Sequence, residues 1–182
     1  MRHAKSSWKN PGFSDHDRPL NKRGDRDAPL MAQRLLARNS VPNLILSSSA
    51  ARALATAEHL KNQFDQTPDV LVDQALYLAS PTVITSVLNA MDPGVSHILV
   101  VAHNPGLEDL CAILEQDSPS HLPTAAIRQF SCPVWDQITI EKSVQNTADG
   151  AGLAQKEPWP FELIYSDFPK NDQTVAGIST IH

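Results

Sequence analysis

Aromatic residues, cysteine and long apolar segments are all scarce in this sequence, and each shortage excludes a class of protein. Aromatic residues make up 5% of the chain, so aliphatic side chains have to form most of its core. No apolar run approaches the roughly 20 residues that a membrane-spanning helix needs, so we expect no membrane association. The formal net charge of −5 argues against a general nucleic-acid-binding surface. Any anion-binding site must therefore be a local concentration of positive charge.

The two cysteines and the amino-terminal residues indicate a reducing compartment. Cys111 and Cys132 lie in apolar or strand-like segments without the spacing of metal ligands, which predicts two buried, reduced thiols. Residues 1–5 carry charge but no apolar segment, so they do not form a secretory signal peptide. The predicted location is the cytoplasm.

The hydrophobic pattern predicts helices that alternate with short strands, and 182 residues suit a single domain. The predicted helices cover residues 21–38, 50–64, 80–91 and 105–116, and the predicted strands cover 43–47, 69–73 and 97–102. Asn21, Ser80 and Asn104 are predicted to cap the first, third and fourth helices. This alternation is typical of an α/β domain with a mostly parallel sheet.

The last third of the chain has a weaker pattern. Late strands are predicted at residues 127–134, 137–141 and 161–165, with a flexible loop over 143–156. We expect residues 1–167 to form one domain and residues 168–182 to be a mobile tail.

Chemically useful side chains follow two of the predicted strands. His103 comes directly after the strand 97–102, and a run of three serines follows the strand 43–47. Arg52 falls in the first turn of the next helix, whose free N–H groups suit a phosphate. Because ligands of parallel sheets bind beyond the carboxyl ends of the strands, we expect His103 and Arg52 to lie close together.

Four stretches of the sequence, taken together, resemble the histidine phosphatase superfamily and its small SixA-type phosphohistidine phosphatases. They are R-H-A-K-S-S-W at residues 2–8, D-H-D-R-P-L-N-K-R-G at 15–24, S-S-S-A-A-R-A-L-A-T-A-E at 47–58 and V-V-A-H-N-P-G-L at 100–107. Each stretch alone is weak, but their order and spacing are similar to those of the family. The resemblance implies a phosphoglycerate-mutase-like, three-layer α/β/α fold.

The resemblance also implies roles for five residues. His3 would be the nucleophile that takes the phosphoryl group, Arg2, Arg18 and Arg52 would bind its oxygens, and His103 would complete the pocket. The physical chemistry agrees, because a neutral imidazole can attack phosphorus and guanidinium groups neutralise the transferred group. No metal or other cofactor is expected.

Simpler explanations exist for several of these residues taken one at a time. Arg18 could be a loop arginine paired with Asp15 or Asp17, and Arg52 could pair with Glu58. His103 could be a structural histidine at the edge of the core. The other histidines are predicted to be surface or structural residues, and Trp8 is the tryptophan predicted to line the rim of the site.

The sequence departs from the family pattern in two places. The Arg-His pair of the family follows a core strand, whereas Met1 directly precedes Arg2 here, so the first strand is expected to be missing and to leave a gap in the sheet. We therefore hypothesise that the natural protein begins upstream of Met1. The family's larger members also carry a glutamate that protonates the leaving group, and residues 73–77 lack a counterpart. Asp15, Asp17 and Glu108 are weak candidates for that acid.

The leading hypothesis is an enzyme that removes phosphate from phosphohistidine on a protein through a phospho-His3 intermediate. The missing acid favours this substrate, because an imidazole leaves more easily than an alkoxide. The alternatives are a phosphatase of small phosphate esters and a weakly catalytic module that binds phosphorylated partners. A metal site built from histidines is disfavoured because no carboxylate or cysteine has ligand spacing. We expect a monomer.

Overall fold

Three parallel strands and four helices alternate along the first two thirds of the chain. The structure is a computed structural model, which describes residues 1–132 and 161–170. The helices are α1 (Lys22–Ala37), α2 (Ala51–Lys61), α3 (Pro81–Asn89) and α4 (Gly106–Glu115), and the strands are β1 (Leu44–Ser48), β2 (Asp69–Asp73), β3 (Ile98–Val101), β4 (Ile127–Ser131) and β5 (Glu162–Asp167). The predicted α/β architecture is confirmed.

Two sheets are formed by the described strands. The first has the order β2-β1-β3 and is parallel throughout, and the second pairs β4 with β5 in antiparallel fashion. The predicted strand at 137–141, the loop at 143–156 and residues 171–182 of the predicted tail lie outside the described residues. The single-domain prediction for residues 1–167 stays a prediction.

Helices cover both faces of the parallel sheet. Neighbouring residues of β1 point to opposite faces, so Ile45 packs in the cluster that includes α1 and α2, while Leu46 packs in the cluster that includes α3 and α4. Met31 of α1 and Ile84 of α3 are fully buried on these two sides. The result is a three-layer α/β/α arrangement. None of the helices among the described residues is both long and apolar enough to cross a membrane.

The helix-capping predictions are confirmed at two positions and wrong at the third. The side chain of Asn21 accepts hydrogen bonds at the start of α1, and that of Ser80 does so at the start of α3. Asn104 does not cap α4; its side-chain amide donates to the carbonyl of Leu122 instead. α4 begins at Gly106, where a Cβ atom would lie 1.8 Å from the carbonyl oxygen of Ala79.

The first three residues lie between the two sheets, where Arg2 forms an isolated β-bridge. Arg2 pairs with Ala102 in parallel, and the amide of His3 donates to the carbonyl of Ala102 at 3.1 Å. On the other side, the amide of Arg2 donates to the carbonyl of Ala126 at 3.0 Å. Residues 1–3 therefore join the parallel sheet to the segment that leads into β4.

Met1 is one of the residues that line a cavity. This cavity of about 220 Å³ lies between β3 and β4, and its lining includes Met1, Leu35, Ile98, Leu110, Ile127 and Phe130. The α-ammonium group of Met1 donates to the carbonyl of Val100 at 2.7 Å, and burial lowers its pKa from 8.0 to about 6. Both features cost stability, since a cavity forfeits packing and a buried charge loses its hydration. The hypothesis of an upstream start stays a prediction.

An engineered extension would measure that cost. Adding about five alternating apolar residues in front of Met1, the length of an ordinary strand, is expected to raise the free energy of unfolding by roughly 2–5 kcal/mol, because the new strand fills the cavity. Denaturant unfolding would measure the gain. The matched control is a Gly/Ser extension of equal length. This control replaces only the buried amino group of Met1. We expect it to raise the free energy of unfolding by only about 1 kcal/mol at neutral pH. Equal gains from both extensions would show that β3 and β4 do not accept a strand between them.

Candidate active site

The carboxyl-terminal edge of the parallel sheet brings together the side chains singled out in the sequence. His3 follows the bridge that Arg2 forms with Ala102, Ser48 ends β1, and His103 follows β3. Arg52 lies in the first turn of α2, directly after the serines. His3, Arg52 and His103 are all buried. The predicted neighbourhood of His103 and Arg52 is therefore confirmed, and His3 joins it.

The hydrogen bonds of His3 leave one ring nitrogen without a proton. Its Nδ1 lies 2.7 Å from the carbonyl oxygen of Ala4, to which only an N–H can donate. Its Nε2 accepts a hydrogen bond from Nε of Arg52 at 3.2 Å. Burial lowers the pKa of His3 from 6.5 to about 3, with smaller contributions from His103, Arg52 and Arg2. The ring is thus neutral at physiological pH, with the Nε2 lone pair facing the arginine.

Helix α2 fixes the orientation of His3 through a second contact. The hydroxyl of Thr56 accepts a hydrogen bond from the amide of Ala4 at 3.0 Å and donates to the carbonyl of Arg52 at 2.6 Å. Ala4, whose carbonyl orients the His3 ring, is therefore bound through its amide to the same helix that carries Arg52. This contact explains why the sequence needs a hydroxyl side chain one helical turn after Arg52.

His103 is held in the opposite tautomer. Its Nδ1 lies 3.3 Å from Nη2 of Arg52 and accepts from it, so its Nε2 carries the proton and donates to the hydroxyl of Ser48 at 2.8 Å. Burial, with Arg52 as the next cause, lowers the pKa of His103 to about 4. The ring centroids of His3 and His103 are 5.0 Å apart. One guanidinium thus contacts two neutral imidazoles.

The other two predicted arginines flank this centre. Arg18 is buried, and it donates to the carbonyl of Ser7 and to the hydroxyl of Ser6, while its guanidinium carbon lies 3.3 Å from the ring centroid of exposed Trp8. Arg2 donates from Nη1 to the carbonyl of Leu122 at 2.9 Å. Its Nε is buried without a hydrogen-bond partner among the described residues. A buried N–H of this kind is costly unless a ligand accepts from it.

A carboxylate that the sequence analysis rated only as a weak acid candidate links the arginines. Asp15 accepts from Nη1 of Arg18 at 2.6 Å and from Nη2 of Arg52 at 3.0 Å. The hydroxyl of Tyr77, in the turn after β2, donates to the same carboxylate at 2.8 Å. The simple pairing of Arg18 with Asp15 is therefore present, and it lies at the candidate site. Arg52 pairs with Asp15 rather than with Glu58.

Two further residues near the site were not anticipated. Tyr77 packs edge-on against His103 with ring centroids 5.5 Å apart. His16, predicted to be a surface or structural residue, bonds the hydroxyl of Ser49 at 2.9 Å and packs against the ring of Tyr77. The rule that placed His103 at the carboxyl edge of the sheet also applies to Tyr77, because it follows β2.

The remaining candidates do not contact this centre. Asp17 is an exposed residue that bonds Ser14 and His16, and Glu108 bonds His121 and the amide of Leu122. Within residues 1–132 and 161–170, no group of His, Cys, Asp and Glu side chains is arranged to hold a metal ion. Trp135, Trp159 and His182 lie outside the described residues.

Comparison with known proteins identifies relatives in sequence and in fold. The family model of the histidine phosphatase superfamily (branch 1) matches residues 1–76. An Arabidopsis thaliana protein, uncharacterised and chloroplastic, is 32% identical over an alignment that covers 63% of this chain. The chain spans only 56% of the length of that relative.

Two solved structures are similar in both fold and sequence. The SixA protein of Agrobacterium tumefaciens, provisionally designated a phosphohistidine phosphatase, is 32% identical with a TM-score of 0.64, and the match covers 69% of this chain and 84% of that one. The protein histidine phosphatase SixA complexed with tungstate is 27% identical with a TM-score of 0.66, covering 72% and 85% of the two chains. This chain belongs to the histidine phosphatase superfamily. Within the superfamily it falls in the SixA-type branch.

Proposed function

We propose that this chain is a phosphatase that hydrolyses phosphohistidine on a protein through a phospho-His3 intermediate, without a metal ion. The observation that carries the proposal is the Nε2 atom of His3. This nitrogen is unprotonated, it belongs to a buried ring, and it is 3.2 Å from a guanidinium nitrogen of Arg52. A neutral, oriented imidazole beside a fixed cation is what nucleophilic attack on a phosphoryl group requires.

The arginines supply the complementary part of the proposal. Arg52 and Arg18 would exchange their present partners for phosphoryl oxygens, and the buried Nε of Arg2 would find an acceptor there. Forked guanidinium groups suit such oxygens, and charge neutralisation is the main demand of phosphoryl transfer. The tungstate complex of the SixA neighbour supports this proposal, because tungstate is a tetrahedral oxyanion like phosphate.

Phosphohistidine is the preferred substrate for two reasons. Asp15 is the only described carboxylate that bonds the arginines of the centre, and Tyr77, Arg52 and Arg18 hold its pKa below the usual value while they bond it. A serine or sugar alkoxide leaves with difficulty unless a strong acid protonates it, whereas an imidazole needs less help. The mouth of the site is also open, because Trp8 is exposed and Asp15 is partly exposed, so a side chain on a protein surface can enter.

A direct comparison of substrates tests this proposal. We expect kcat/KM for a phosphohistidine-bearing protein to exceed that for a sugar phosphate or phosphoserine by about 100-fold, since proton transfer to a poor leaving group is worth that much. Activity should persist in a strong chelator. Faster turnover of the sugar phosphate would identify a small-molecule phosphatase, and binding without turnover would identify a binding module. Loss of activity in the chelator would contradict the metal-free reaction.

A further inference from the structure

We propose that Asp15 is the proton donor of this site and that the entry of a phosphoryl group is what protonates it. This inference rests on the proposed phosphatase function and deepens it by assigning the acid that the sequence pattern lacks. The same carboxylate occupies positions on the arginines that the phosphoryl oxygens need.

The first observation is the set of contacts that Asp15 makes. Its Oδ1 accepts from Arg18 at 2.6 Å, and its Oδ2 accepts from Arg52 at 3.0 Å and from the hydroxyl of Tyr77 at 2.8 Å. Two of the three arginines assigned to the phosphoryl group are thus neutralised by one carboxylate. A phosphoryl group can use those N–H donors only by displacing Asp15 from them.

The second observation is where Asp15 lies relative to the nucleophile. Arg52 donates from Nε to His3 and from Nη2 to Asp15, so one guanidinium spans the distance between the two groups. The His3 ring is buried, whereas the Asp15 side chain is 44% exposed. Asp15 therefore lies toward the solvent side of the site, where a protein-bound leaving group would enter and depart.

Electrostatics then links binding to protonation. The titratable and charged groups that face Asp15 are Arg18 from its own loop, Arg52 from α2, Tyr77 from the turn after β2 and His103 from the segment after β3. When a phosphoryl dianion takes the N–H donors of Arg18 and Arg52, Asp15 loses two cationic partners and gains an anionic neighbour. Both changes favour its neutral form. The carboxylate is ionised while it bonds the arginines, and it becomes an acid when the phosphoryl group displaces it.

The proposed step balances in atoms and charge. The lone pair of His3 Nε2 forms a bond to phosphorus while the bond from phosphorus to the leaving nitrogen breaks. The electron pair of that bond stays on the leaving imidazole, which takes the proton of Asp15. Water then attacks phosphorus, one of its protons passes to the Asp15 carboxylate, and the bond to Nε2 breaks with its electron pair returning to His3. Phosphate leaves, Asp15 releases that proton to solvent, and its carboxylate returns to the arginines.

Binding of tungstate to the parent protein and to Asp15→Asn is the first test. Asparagine keeps the shape of the side chain but cannot hold a negative charge or a titrating proton, so we expect tungstate to bind about tenfold more tightly. Calorimetry near neutral pH in two buffers of different ionisation enthalpy counts protons. The parent should take up more protons than Asp15→Asn. Because Asp15 also raises the pKa of His103, the same pair is measured in a His103→Gln background, where the difference in proton uptake reports Asp15 alone. Asp17→Asn in the same exposed loop is the matched control and should behave as the parent.

Kinetics separate a proton donor from a structural residue. With a phosphohistidine-bearing protein, Asp15→Asn should lower kcat about 100-fold, because the leaving imidazole still needs one proton, although a weaker acid suffices for it than for an alkoxide. With nitrophenyl phosphate, whose phenolate leaves without a proton, the loss should be only a few-fold. Weaker tungstate binding and equal losses on both substrates would overturn the proposal while leaving the phosphatase function intact. A parent protein that neither binds tungstate nor turns over either substrate would contradict the phosphatase function, and the inference would fail with it.

Discussion

Replacement of His3 by alanine is expected to reduce phosphate release in a single turnover by at least about 10⁴-fold, a loss typical of removing a nucleophile. The reason is geometric and electronic. The Nε2 atom of His3 is unprotonated, and its lone pair faces Nε of Arg52. In His103 the unprotonated nitrogen is Nδ1, which accepts from Nη2 of Arg52, while Nε2 donates to Ser48. We therefore expect His3, rather than His103, to form the covalent intermediate.

The measurement is labelling with a phosphohistidine-bearing protein, quenched at high pH. In the parent protein we expect an acid-labile, base-stable label on His3 that decays as phosphate appears. In His3→Ala both the label and the phosphate should be absent. His97→Ala is the matched control, because His97 is a partly buried histidine whose pKa burial also lowers, and it bonds the carbonyl of Val41 outside the site. A label that survives in His3→Ala would assign the nucleophile elsewhere.

Replacement of Arg52 by alanine has the second largest expected effect, a loss of about 10³-fold in kcat/KM. Arg52 donates to His3, to His103 and to Asp15, so it aligns the nucleophile and would carry phosphoryl oxygens in the transition state. Arg52→Lys should recover little of the activity. An ammonium group is a point charge on a flexible stem and cannot reproduce the fork.

Two controls distinguish a loss of chemistry from a loss of folding. Added guanidinium ion should partly restore the activity of Arg52→Ala, because the truncated side chain leaves room for the missing cation. Arg128→Ala is the matched arginine control, since Arg128 bonds Glu115 and Ser120 away from the centre and should leave kcat/KM within about threefold of the parent. A fully active Arg52→Lys would mean that the site needs only positive charge at this position.

Secondary structure was largely predictable from local pattern. The strands β1 and β3 and the start of α3 could be located from the sequence. A buried strand needs a run of apolar side chains, and the first N–H groups of a helix need a capping side chain, so each leaves a local signal. The prediction failed at Asn104, whose side chain has the chemistry of a cap but bonds the carbonyl of Leu122. A contact with a residue 18 positions away leaves no local signal.

Part of the candidate site was predictable from the order of strands and helices along the chain. His103 and Arg52 follow strands or begin a helix, so the parallel sheet places both at one edge, and the resemblance to the histidine phosphatases added His3, Arg2 and Arg18. The local pairing of Arg18 with Asp15 was also an open alternative. The structure shows that pairing, and it shows that the paired carboxylate also bonds Arg52.

The sequence by itself determined the α/β architecture, because the period of the apolar residues and the order of strands and helices can be read from it. The spacing of its motifs also determined the family and the set of cationic and imidazole side chains. Tertiary structure alone decided which ring nitrogen of His3 is unprotonated, that Tyr77 binds Asp15, and that one carboxylate bonds two arginines. Those facts depend on angles and distances between residues up to 62 positions apart. Hydrogen bonds are directional and short, so their partners emerge only when the folded chain brings the loop after residue 7, the turn after β2 and the start of α2 to one place.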